Sequence, residues 1–292
     1  MGSEIIRIRE IKPVLSEYIS RSRELLKRSA VPDDEAIHDI RVYMKKSRAV
    51  LRLAGPLMSD SLSDRDLQSL KRVGQLMCQW RDTSVHRKTL RELRKKHHNI
   101  FSKIITNEKI SLLMSKQEAM PEPDEEMKKN IAEIDELLSK TYFRLRFNQM
   151  QKIETAGLLV QLELTFDAVR NIYLECRNRA KPENIHEFRK RSKDFLYQMY
   201  FFRPMNPSRI KSVEKRLERM TLNLGKYNDL YQLLNTLGYV YPNELSLPAL
   251  DELVIKIREE QDNYLSKVWP EAYRIFCPGK SLADLLGLKQ QK

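Results

Sequence analysis

A helix-period segment led by histidine occurs twice in this chain, and a chain built from two copies of one unit has few folds open to it. IHDIRVYMKKSRAVLRLAGPLM at residues 37–58 returns as IHEFRKRSKDFLYQMYFFRPM at residues 185–205, about 148 positions later. Ile37 matches Ile185, His38 matches His186, Asp39 matches Glu187, Arg41 matches Arg189, Lys45 matches Lys193 and Pro56 matches Pro204. A second pair follows in the same order. Residues 70–90 align with 217–237 at an offset of about 147, which places Arg72 on Arg219, Met77 on Leu224 and Asp82 on Asp229. Two collinear matches read as an internal duplication. Repeat one covers about residues 1–148 and repeat two about 149–292, together forming a single domain over 1–292.

Apolar residues recur near every 3.6 positions through 5–26, 37–53, 67–80, 85–105, 127–147, 158–174, 185–202, 210–224, 230–237 and 250–269. That predicts about ten helices and an all-α fold. Leu, Glu, Lys, Arg and Gln, which lose little rotamer freedom in a helix, are abundant, and only 8 of 292 residues are glycine. Proline and glycine mark the breaks, among them Gly55-Pro56, Pro121 to Pro123, Lys181-Pro182 and Pro204 to Pro207. Asp33, Asp82 and Asp229 are expected as N-caps. The acidic, proline-containing MPEPDEEMKKN at 120–130 reads as a surface turn at the seam. Each half then supplies four or five helices, consistent with two pseudo-symmetric bundles packed face to face around a central cavity.

The charges say more than the helices do. The net charge of +13 points to a polyanionic partner: nucleic acid, an anionic membrane or polymeric phosphate. From His38, the side chains of Arg41, Lys45, Arg48 and Arg52 fall within a sector of about 80° on a helix of 100° per residue. A solvated surface helix has one apolar arc opposite one polar arc. Here Ile37, Ile40, Met44 and Leu51 border the stripe on one side and Val42, Ala49 and Leu53 on the other. Such a stripe should face a groove with packed walls. His186, Arg189, Lys190 and Lys193 repeat the sector, but Leu196 and Tyr200 replace the counterparts of Arg48 and Arg52, so the second copy is expected to be the weaker wall. Unpaired cations converging on a groove repel one another and call for an anion. Arginine suits phosphate by bidentate donation and lysine as a point charge.

Other constellations carry less. His97, His98 and His86 lack a carboxylate or cysteine at ligand spacing, so they read as solvated surface, and no metal or cofactor is expected. No Gly-rich phosphate loop, nucleophile–base order or paired carboxylates support an enzyme. Lys211, Lys215, Arg219 and Lys226, with Arg72 matching Arg219, form either a further cavity wall or an exposed face with Glu214 and Glu218 as helical partners. His38 and His186 either contact phosphate or serve as structural hydrogen-bonding groups. Arg87, Lys88, Arg91, Arg94, Lys95 and Lys96 surround their helix and read as solvated basic surface. The three cysteines are scattered and read as free thiols, and no apolar run approaches a membrane span or leader, so the chain is expected in the cytosol with no membrane partner.

His-Asp-x-Arg-x-x-x-Lys at 38–45, its echo His-Glu-x-Arg-x-x-x-Lys at 186–193, and Arg81-Asp82 with Asn228-Asp229 together resemble the CHAD domain, the conserved histidine α-helical domain. The resemblance covers nearly the whole chain. It implies two helical bundles around a basic central cavity or pore and non-catalytic binding of inorganic polyphosphate, often at polyphosphate granules. The residues implied are His38, Arg41, Lys45, Arg48, Arg52, His186, Arg189, Lys190 and Lys193, with Arg72, Lys215, Arg219 and Lys226 behind them. Asp194 and Leu196 stand where the family commonly carries basic residues, and Cys78 stands where Gly225 keeps the expected glycine. Nucleic-acid binding through the same charges is the competing reading, although Tyr43 and Tyr197 offer little for base stacking, and hydrolysis of phosphate anhydrides is a third.

Overall fold

A computed structural model describes residues 11–29, 31–58, 62–104, 110–111, 114, 125–147, 153–238 and 248–288, with the side chains of 62, 63, 79, 81–84, 248 and 249 outside that set. Among the described residues the fold is all-α, with eleven α-helices and no strand. They are α1 (Ile11–Leu26), α2 (Asp34–Ala54), α3 (Leu62–Leu76), α4 (Cys78–Lys96), α5 (His98–Ile104), α6 (Glu125–Phe147), α7 (Thr155–Asn178), α8 (Pro182–Met199), α9 (Pro207–Leu237), α10 (Pro248–Phe276) and α11 (Leu282–Leu286).

Local chemistry sets several of these ends. The Asp33 side chain accepts from Ala36 N at 2.7 Å, and Asp34 and Glu35 occupy the first turn of α2, where carboxylates complement the helix dipole. Pro182 and Pro207 open α8 and α9 at positions where no amide donor is needed. Gly238 closes α9 at φ 83°, a left-handed conformation that other residues rarely adopt.

Several boundaries differ from the sequence reading. The helix expected over 67–80 breaks at Met77, so α3 and α4 are separate. The two helices expected over 210–224 and 230–237 are one, because α9 runs unbroken through Gly225. Asp229 therefore lies inside α9 and caps nothing; Asp82 likewise lies within α4, and the side chains of Arg81 and Asp82 fall outside the described set. Finally, α10 continues through Pro270 to Phe276, held there by the buried Val268, Ala272, Ile275 and Phe276. Pro121 and Pro123 lie outside the described residues.

The buried apolar residues do not divide at the midpoint of the chain. One large core draws on α1, α2, α3 and α6 together with α7, α8, the first part of α9, the second part of α10, and α11. A smaller one joins α4 and α5 to the C-terminal end of α9 and the N-terminal end of α10. Phe276 sits at an aromatic junction with Phe166, Tyr173, Phe188 and Phe195. Full burial of each such ring contributes about 1.5–3 kcal/mol. What positions the functional region is the direct packing of α2 on α8. Gln198 Nε2 donates to the Ala49 carbonyl at 3.0 Å, and Arg52 Nη1 meets Asp194 Oδ2 at 2.6 Å. These pairs run in opposite directions along the two helices, so the helices pass antiparallel.

Candidate phosphate-binding cavity

A cavity of about 490 Å³ lies among α2, α4, α8 and α9. From α2 it is lined by Arg41, Lys45, Arg48 and Arg52, and from α8 by His186, Arg189, Lys190, Lys193 and Asp194. Cys78, Val85 and His86 of α4 and Asn228, Asp229 and Gln232 of α9 complete the wall. The helical spacing thus brings eight of the nine stripe residues into one place. The flanks are packed as their pattern required: Ile37, Ile40, Met44, Ala49, Leu51 and Leu53 are buried beside the first stripe, and Ile185, Phe188, Tyr197, Met199 and Phe201 beside the second.

Each stripe is held by a neighbouring helix. Arg41 Nη1 donates to the Gly74 carbonyl at 2.8 Å. That carbonyl lies in the last turn of α3, where the helix break at Met77 leaves acceptors without helical partners. Arg189 instead lies flat against α9. A Cβ built on Gly225 would sit 3.4 Å from both Nε and Nη2 of Arg189, so the bare glycine backbone leaves room for the guanidinium. At the start of α8, His186 Nδ1 lies 2.7 Å from Asn228 Oδ1. An amide oxygen can only accept, so Nδ1 carries the proton and donates.

The electrostatics are strained in a consistent direction. Burial pushes the Arg48 guanidinium below its usual pKa; neighbouring Arg52 adds to the effect, Asp194 opposes it and Arg41 adds again. Lys193 is also pushed down, first by burial and then by Arg189, with Glu218 opposing and Lys46 adding. Asp194 is pushed up by burial, against the pull of Arg52, Arg48, Arg191 and Lys190. Most telling, the Nε atoms of Arg41, Arg48 and Arg189 are buried with no hydrogen-bond acceptor among the described residues. A buried donor left unmade costs about 1–3 kcal/mol.

Several expected residues lie elsewhere. His38 is exposed and is not among the lining residues. Arg72 is exposed on α3 and pairs with Glu133 of α6 at 2.7 Å. Arg219 pairs with Glu271 of α10 at 2.8 Å, and Lys226 with Glu92 of α4 at 2.6 Å. Lys215 is exposed on α9. The further wall expected from these four is therefore built instead by Asn228, Asp229 and Gln232. Glu214 is no surface partner either: it is buried and accepts from Arg203 Nε at 2.8 Å. His86, read as solvated surface, lines the cavity, whereas His98 is exposed. Cys78, Val85 and Gln232 were not expected to line the cavity, because no charge pattern marks them. Their only signal is spacing, 78 with 85 on one helix and 228 with 232 on the other, and spacing alone does not say which face looks inward.

Among the described residues no cluster of three or more His, Cys, Asp or Glu side chains could hold a metal ion, and no helix is long and apolar enough to cross a membrane. No curated protein matches this sequence. The CHAD domain family model matches residues 15–238, a span that runs from α1 to the end of α9 and contains every residue lining the cavity, and the chain therefore belongs to the CHAD domain family.

Proposed function

We propose that this chain binds inorganic polyphosphate in the cavity between α2 and α8 and does no chemistry on it. CHAD domains are associated with polyphosphate binding in general. The observation that carries the reading is the trio of buried Nε donors on Arg41, Arg48 and Arg189, three residues that line one cavity, each donor without an acceptor among the described residues. Phosphate oxygens fill that role, and a chain of linked phosphates can meet guanidinium groups from both helices at once. Lys45, Lys190, Lys193 and His186 extend the proposed set, while Arg72, Lys215, Arg219 and Lys226 act outside it.

The matching of Arg41 with Arg189 and of Lys45 with Lys193 supports an origin by duplication, with two related helices forming opposite walls of one basic channel. Nucleic acid fits less well. A cavity near 490 Å³ has the size of a small-ligand pocket, and its described lining includes no Phe, Tyr or Trp on which a base could stack. A chain with this activity is expected at polyphosphate granules in the cytosol.

Retention of polyphosphates of graded length on a filter, with duplex DNA and RNA as competitors, tests the reading. Polyphosphate should bind in preference to either nucleic acid, with no orthophosphate released in the presence of magnesium or manganese. Equal affinity for DNA would overturn it.

A further inference from the structure

α4 carries charge on two faces, and only one of them is paired. On the first, Glu92 accepts from Lys226 of α9 at 2.6 Å and Lys96 meets Glu260 of α10 at 2.8 Å. Cys78 and Val85, which line the cavity, lie in the same direction. At 100° per residue, Arg87, Lys88, Arg91, Arg94 and Lys95 fall in a different sector of about 120°, along about 12 Å of helix. Among the described residues none of these five side chains has an ion-pair or hydrogen-bond partner, and all but Arg87 are exposed. Trp80, two turns earlier in the same sector, packs against the large core, so Arg87 marks where this face emerges from the fold. The Arg87 Nε is itself buried without an acceptor, the condition found at the cavity arginines. Cations so close together repel one another and call for an anion.

We propose that the outer face of α4 is a second anion-binding surface, separate from the cavity, and that its partner is the phosphate backbone of a nucleic-acid duplex. A duplex presents one phosphate per about 1.7 Å of its axis, so a face of this length meets several at once. A single convex helix also fits a major groove about 12 Å wide. The cavity, near 490 Å³, admits no duplex, so the two anions take different sites. An anionic membrane fits less well, because a helix lying on lipid needs apolar side chains beside its cations. Among the described residues no exposed large apolar side chain lies on α4. Contacts to phosphates carry no sequence information, so binding is sequence-independent and weak, with a Kd of about 1–100 µM at physiological salt. That leaves polyphosphate in the cavity as the tighter of the two complexes.

Fluorescence anisotropy of a short labelled DNA duplex, titrated with the full chain at several salt concentrations, tests the surface. For the native protein, log K should fall against log salt with a slope of about −3 to −4. Arg91→Gln with Arg94→Gln and Lys95→Gln should weaken duplex binding at least about tenfold at low salt and flatten that slope by about two to three. Glutamine keeps the helix propensity of α4, and circular dichroism checks the fold. Tripolyphosphate affinity of the same variant should change less than about threefold, the size of a screened long-range effect. Saturating tripolyphosphate, at constant ionic strength, should leave the duplex bound. Arg41→Glu with Arg189→Glu, which disables the cavity, should alter duplex binding less than about threefold. If tripolyphosphate displaces the duplex, or if the α4 and cavity variants weaken duplex binding alike, α4 carries no separate surface. If polyglutamate competes as well as unlabelled duplex at equal charge, nucleic acid is not the partner. Failure of the native chain to bind tripolyphosphate would instead count against the cavity alone.

Discussion

α2 and α8 carry matched histidine-led stripes, yet the protein treats them differently. On α2, Arg41 is tethered by a carbonyl in the last turn of α3, left without a helical partner where that helix ends. On α8, Arg189 rests against a glycine inside the unbroken α9. α2 keeps Arg48 and Arg52 on the cavity, whereas at the matching positions Leu196 is buried and Tyr200 lies under the Arg203 guanidinium, 4.3 Å from its carbon. α8 adds Asp194 instead. The expectation of one strong and one weak wall thus changes form. α8 contributes a carboxylate that neutralises the far end of α2, so a substitution on one wall is felt on the other.

Reversing the matched pair is the hardest blow to both walls. Arg41→Glu with Arg189→Glu should lower polyphosphate affinity by at least about 100-fold, because two contacts become repulsions. Helical circular dichroism should be unchanged, since both side chains border the cavity. Arg94→Glu with Lys95→Glu, on the exposed end of α4, should cost less than about threefold, an effect that salt erases. Equal losses from the two pairs would replace the cavity with a general basic surface.

Single neutralisations separate the walls from each other. Arg48→Gln removes a half-buried cation with an unmet donor and should weaken binding about tenfold. Lys190→Gln removes an exposed lysine already paired with Glu187 at 2.7 Å and should cost about twofold, since exposed ion pairs contribute little. Titration calorimetry at one salt concentration suffices. A larger loss from Lys190→Gln would reverse the ranking of α2 over α8.

How far the sequence could be read follows from the range of the interactions involved. Helical period is local, and it brought Arg41, Lys45, Arg48, Arg52, Arg189 and Lys193 to one cavity without any knowledge of the fold. Asp33 announced the start of α2 for the same reason. Ion-pair partners are not local. Arg72 finds Glu133, Lys226 finds Glu92 and Arg219 finds Glu271, each across helices that only tertiary packing brings together. No spacing rule distinguishes those outlying cations from the ones on α2 that line the cavity. Asp194 was legible as a departure from the basic pattern, but its meaning required knowing that Arg52 lies opposite. The break at Met77 and the continuity of α9 were also out of reach, because similar apolar patterns permit either and the packing around each decides.

The smallest effect sharpens the contrast most, because it asks how each wall holds its arginine. Gly225→Ala places a methyl 3.4 Å from two nitrogens of Arg189 and must push the guanidinium aside by a few tenths of an ångström. The same change adds helix propensity worth about 1 kcal/mol in the middle of α9, so stability should hold or rise while binding falls about two- to threefold. Gly74→Ala is the matched control on the other wall. A Cβ there meets nothing within 4 Å, and the Gly74 carbonyl that holds Arg41 is backbone, indifferent to the side chain it carries. Gly74→Ala should therefore leave affinity untouched and raise the melting temperature through α3 alone. If both substitutions weaken binding alike, Arg189 gains nothing from a bare backbone, and the two walls hold their arginines by the same means after all.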